Sequence, residues 1–186
     1  SKSLLSEGLR YCLEKEKPQH FYTDIFTDKR GIFYPSQLTE GEGVLNKKWV
    51  QSNISINPKK WTFRGLHYQK QPYQQSKFIQ VIQGTIIDFM INIKPESEEY
   101  GKMYYYAIEA GNAVYCPVGY AHGFITLDTN TIIQYFVDNE YNKESENGIF
   151  WNSIPGILEV IEKVDPRFRA EELIISSKDF NAEKWQ

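Results

Sequence analysis

The sequence predicts a mainly β protein, a closed or double-layered antiparallel fold with short helices at its edge. Three observations carry this expectation. Short apolar runs recur from about residue 21 to residue 151, punctuated by Gly31, Pro58, Gly84, Gly101, Gly111 and Gly119. Rings are abundant: 13 Tyr, 11 Phe and 4 Trp make up 15% of the chain, a load that favours strands and stacking surfaces over a helix bundle. The length of 186 residues, 41% apolar and 24% charged, fits one domain with a single core and excludes a disordered chain.

The elements follow in order. Leu5, Leu9 and Leu13 recur every four residues between Ser3 and Lys17 and so share one helix face. Ser3 or Ser6 caps this helix and Pro18 ends it, giving an N-terminal helical extension over residues 1–19. Strands are expected at Trp49–Asn57, Phe63–Gln69, Phe78–Gln83, Thr85–Ile93, Met103–Glu109, Ala113–Cys116 and Ile132–Val137. The clearest is Thr85–Ile93, where Ile87, Phe89, Ile91 and Ile93 face one way and Asp88, Met90 and Asn92 the other. Residues 152–186 are richer in charge and read as a wrapping segment with a short helix or two. No internal repeat or long linker interrupts a single domain over 1–186.

Several function classes drop out. A net charge of −3 gives no general case for nucleic-acid binding. No run approaches the roughly 18 apolar residues of a membrane span, and Ser1–Arg10 lack the apolar core of a secretory signal. Cys12 and Cys116 are too few for a disulfide framework, so a cytoplasmic setting is expected. Dinucleotide fingerprints, a P-loop, a Gly-x-Ser-x-Gly elbow and a Cys-x-x-Cys pair are all absent. Cys116, beside Val114 and Tyr115 in an apolar strand, reads as an inert buried thiol.

Candidate chemistry centres on His67 and His122, two of only three histidines. The run from Gly111 through Pro117 and Gly119 to His122 fits a strand, a tight Pro/Gly turn and a return strand whose imidazole points inward. That spacing resembles the second signature of the cupins, which implies a cupin-like double-stranded β-helix, or jelly roll. A chance hairpin with a core histidine is the plainer reading. Metal-binding cupins add a His-x-His pair, whereas Arg64-Gly65-Leu66-His67-Tyr68-Gln69 offers one imidazole, a poor ligand set. No metal and no cofactor are therefore expected, which leaves the imidazoles for acid–base work.

Arg64 to Gln69, Lys77 ten residues after His67, and Gly119-Tyr120-Ala121-His122-Gly123-Phe124 together resemble the dTDP-4-dehydrorhamnose 3,5-epimerase family. Asp28 to Phe33, Gln51-Ser52-Asn53, Tyr135, Tyr141, Trp151-Asn152 and Ser177-Lys178-Asp179 extend the likeness over about residues 21–180. The resemblance implies a cofactor-independent isomerase that inverts C3, C5 or both in a nucleotide-linked 4-keto-6-deoxy sugar. It makes His67 the base, Asp179 its orienting carboxylate, Lys77 the cation near the oxyanion and Tyr135 the acid on the far face. It assigns Arg30, Arg64, Gln51, Asn53, His122, Glu146 and Lys178 to substrate, with Tyr141 stacking on the base. It also implies a homodimer with N-terminal strand exchange. From the residues alone, Tyr135 reads equally as core packing, Lys77 as a solvated strand-edge lysine, and the polar set as ordinary surface.

Departures from the pattern are Pro35 in place of a Glu that contacts the nucleotide, Ser153 in place of Asp, and an altered segment over 153–172. Other readings that remain are a sugar 3,4-ketoisomerase or other cupin enzyme, and a non-catalytic sugar-nucleotide-binding module.

Overall fold

The computed structural model describes residues 16–35 and 47–186. The expected helix over Ser3–Lys17 lies almost wholly outside the described residues. Residues 16–18 have no regular structure, and Gln19 opens a strand.

Strands β4 (Gln51–Asn57), β6 (Lys77–Gln83), β9 (Ala113–Cys116) and β11 (Thr131–Val137) form one sheet in the order β9-β6-β11-β4. Strands β5 (Phe63–Gln69), β7 (Thr85–Asn92), β8 (Met103–Glu109) and β10 (Tyr120–Thr126) form the other in the order β5-β10-β7-β8. All these pairings are antiparallel, and this four-plus-four order is that of a jelly roll. Strand β1 (Gln19–Phe21) extends the first sheet beside β9, and β12 (Glu146–Gly148) extends the second beside β5. Strands β2 (Phe26–Asp28) and β3 (Gly31–Phe33) make a separate hairpin.

Burial follows from the layers. Ile79, Val81 and Ile133 of the first sheet meet Ile86, Met90, Ile108, Tyr120 and Phe124 of the second. Behind the second sheet, Phe63, Leu66, Ile87, Phe89 and Ile125 are covered by Trp61, Trp151, Ile154, Ile157, Ile161 and Phe168. Strand β7 alternates as expected, but the C-terminal segment covers its outer face, so Ile86 to Asn92 are all buried. That segment carries α1 (Ile157–Val164) and the four-residue α2 (Ser177–Phe180). Asp165 fastens it: its carboxylate accepts from Trp61 Nε1 at 3.1 Å and Arg167 Nε at 3.2 Å.

Strict alternation fails at one place. His122 pairs with His67 and Phe124 with Arg64, so β5 spends three steps where β10 spends two. The extra residue is a bulge at Gly65–Leu66. Phe63 and Leu66 therefore both reach the outer cluster, and Arg64 and His67 both turn to the other side of the strand. Gly65 is required here: its φ is +117°, and a Cβ would stand 2.6 Å from the His122 carbonyl oxygen.

Gly65→Ala is expected to lower unfolding stability by more than about 2 kcal/mol in chemical denaturation. For Asp165, burial acts to raise its pKa, but the bonds from Trp61 and Arg167 outweigh burial and hold it below the ordinary value. A depressed folded-state value means that this stabilisation is complete above the unfolded carboxylate range and is lost as pH falls through the folded value. The melting-temperature gap between wild type and Asp165→Asn should then narrow below about pH 4.

Candidate active site

A cavity of about 870 Å³ opens at one end of the barrel. Seven of the residues expected at the site line it: His67 from β5, Lys77 from β6, Tyr135 from β11, Gln51 and Asn53 from β4, Glu146 from β12, and Tyr141. Register explains the grouping, since Tyr135 pairs with Asn53 on one side and Ile79 on the other, and Lys77 pairs with Val137.

His67 Nε2 lies 2.6 Å from Asp179 Oδ1, and the other carboxylate oxygen accepts the Gly65 N–H at 3.0 Å. The bulge that turns His67 inward thus also supplies an amide to its carboxylate. Burial acts to raise the Asp179 pKa, but the His67 and Gly65 hydrogen bonds and nearby Lys178 hold it below the ordinary value. Asp179 is in this way kept as an anion beside the imidazole.

Lys77 Nζ sits 6.0 Å from the centroid of the Tyr135 ring. Burial pulls the ammonium pKa down, opposed by the charges of Asp88 and Glu146. The Tyr135 phenol is pushed up by burial, with Glu146 adding and Arg64 opposing, so it keeps its proton at neutral pH.

At the rim, Glu146 Oε2 accepts from Tyr141 Oη at 2.8 Å and lies 2.7 Å from Lys178 Nζ. Lys178 and Asp179 are consecutive in α2, so one helical turn serves both the rim and the imidazole.

Other expected residues stand apart from the cavity lining. Arg30 is exposed on the β2–β3 hairpin and paired with Asp28 at 2.6 Å. Arg64 is exposed, with its Nε donating to buried Asn57 at 2.8 Å. His122 is buried inside the barrel, and its Nε2 is 2.6 Å from Asp88 Oδ2.

Asp88 is the residue that pattern reading passed over. It is fully buried, its Oδ1 has no hydrogen-bond partner among the described residues, and burial pushes its pKa up against the pull of His122 and Lys77. The available signal was a lone carboxylate in an otherwise apolar strand, a placement that is costly without a partner. Among the described residues, no three of His, Cys, Asp or Glu are grouped as metal ligands, and no helix is long and apolar enough to cross a membrane.

Comparison with known proteins places the chain in a family. The model of a family described as dTDP-4-dehydrorhamnose 3,5-epimerase matches residues 18–186. A Shigella flexneri protein of that name is 32% identical over 170 residues, covering 89% of each chain. A crystal structure of the Bacillus anthracis enzyme of that name, with TDP and PPi bound, superposes with a TM-score of 0.75 at 30% identity, covering 91% of this chain and 94% of that one. A Legionella pneumophila dTDP-6-deoxy-D-glucose-3,5-epimerase in complex with dTDP-4-keto-L-rhamnose gives 0.73 at 28% identity, covering 90% of this chain and 87% of that one. The chain belongs to the dTDP-4-dehydrorhamnose 3,5-epimerase family.

Proposed function

We propose that this protein epimerises a dTDP-linked 4-keto-6-deoxy sugar at the carbons flanking its ketone, with His67 as base and Tyr135 as acid. The observation that carries the reading is the cavity-lining imidazole held 2.6 Å from an anionic carboxylate. A C–H beside a ketone is weakly acidic, so its removal needs a base on one face, a cation near the oxygen and a proton donor on the other face. With Nε2 committed to Asp179, Nδ1 of His67 takes the proton from carbon, and the electron pair moves onto the ketone oxygen as an enolate. Lys77 stabilises that oxyanion. Tyr135, kept protonated by its burial, returns a proton from the opposite side and so inverts the centre. Gln51, Asn53 and Glu146 hold the nucleotide sugar, and Tyr141 stacks on its base.

The active species in this reading is a homodimer. Ile54 and Ile56 on the outer face of β4 are 66% and 62% exposed, and Phe26, Ile32 and Phe33 of the β2–β3 hairpin are exposed as well. Exposed apolar side chains in such number are costly in water and fit contact with a second copy of the chain. Exchange of the hairpin would carry Arg30, which lies off its own cavity lining, to the mouth of the neighbouring one. There its guanidinium suits the diphosphate.

Incubation with dTDP-4-keto-6-deoxyglucose in D₂O is expected to place deuterium at C3, C5 or both. His67→Ala should lower the exchange rate by about 10³-fold, and Tyr135→Phe should retain exchange but lose inversion. Absence of exchange in the wild type would overturn the epimerase reading. The double variant Ile54→Lys, Ile56→Lys should sediment as a monomer and bind TDP more weakly. Dimers of unchanged TDP affinity would refute the interface.

A further inference from the structure

Asp179 reaches His67 from far away in the chain, on a helix of only one turn. The backbone bonds of this turn, Phe180 N–H to Ser176 O at 2.9 Å and Asn181 N–H to Ser177 O at 3.0 Å, leave its first amides to capping and to contacts with the surroundings. The cap is Ser176. Its backbone is extended, with φ −69° and ψ 155°, and its Oγ accepts the N–H of Asp179 at 3.1 Å. Ser176 and Asp179 thus occupy the N-cap and third helical positions of a capping box. In such a box the acidic side chain ordinarily turns back toward the N-cap amide. Here both carboxylate oxygens point across to β5 instead, Oδ2 to the Gly65 N–H and Oδ1 to His67. Half of the capping box has been diverted to the site, and the Ser176 hydroxyl supplies the half that remains.

We propose that Ser176 is a positioning residue for proton abstraction, fixing the backbone of Asp179 so that its carboxylate bridges the Gly65 amide and the His67 imidazole. Ser176 touches neither substrate nor imidazole; it acts through Asp179. Without the hydroxyl, the Asp179 N–H loses its acceptor, and the turn has a conformational choice between closing the carboxylate back on its own helix and presenting it to His67. The cost falls on the chemical step more than on substrate binding, because the Ser176 hydroxyl bonds the Asp179 amide itself, whereas Lys178 of the same turn reaches Glu146 through a long, largely exposed side chain that can follow a small shift of the backbone.

This proposal rests on the epimerase reading, and the test separates the two. Steady-state epimerisation and deuterium wash-in are measured for wild type, Ser176→Ala and Ser176→Thr, alongside their melting temperatures. For Ser176→Ala, kcat and wash-in should fall by about tenfold with KM within about twofold. For Ser176→Thr, whose hydroxyl also caps, both rates should recover to within about threefold of wild type. A Ser176→Ala rate equal to wild type overturns the positioning role. So does a loss that Ser176→Thr fails to restore, or one in which KM rises as kcat holds. Wild-type protein that exchanges no deuterium sinks the epimerase reading instead.

Discussion

The site depends on one constraint: a single carboxylate must serve a backbone amide and an imidazole at once. Asp179 does so because the β5 bulge brings Gly65 N–H and His67 Nε2 to the same side of the strand, 3.0 Å and 2.6 Å from its two oxygens. Remove the extra residue and the side chains beyond it exchange faces, sending His67 into the apolar cluster of Phe63, Trp151 and Phe168. Fill the Gly65 α-carbon and β5 collides with the β10 backbone. The geometry of the His67–Asp179 pair and sheet register are here the same problem, and a glycine with positive φ solves both.

Around that pair the barrel arranges charge by burial. Two carboxylates face two imidazoles, but their surroundings pull them apart. Asp179 is held anionic by donors on β5 and the nearby charge of Lys178, whereas Asp88 lies fully buried, with one oxygen unpartnered among the described residues and its pKa pushed upward. Lys77 is the cation between these regions, pulled down by the same burial and supported by Asp88 and Glu146. Charge that develops beside such buried groups is felt more strongly than in water, which is the condition an enolate needs.

Much of this was legible in the sequence, for physical reasons. Period-two alternation located the central strands, since residues such as Ile87, Phe89 and Ile91 must share a face, and the Pro117–Gly119 turn located the return strand that carries His122. The family likeness singled out His67, Lys77, Tyr135 and Asp179, which propensity alone leaves as core, surface or turn. What stayed hidden was tertiary. The bulge breaks alternation without any local mark except a glycine, and short strands such as β1 and β12 exist only because longer neighbours offer an edge. Asp88 reads as the polar face of a half-exposed strand until the C-terminal segment covers one side and the barrel encloses the other. Arg30 belongs to the expected site by sequence, yet the fold leaves it on an exposed hairpin paired with Asp28, because local pattern carries no information about where a hairpin lies relative to the cavity.

In the proposed reaction, Nδ1 of His67 stands against an acidic carbon of the sugar. The most direct measurement is a crystal structure of the Tyr135→Phe protein with a dTDP-linked 4-keto-6-deoxy sugar bound. Nδ1 of His67 is expected within about 3.5 Å of C3 or C5, with the ketone oxygen turned toward Lys77. A sugar ring seated in the cavity with neither carbon near that nitrogen would contradict it.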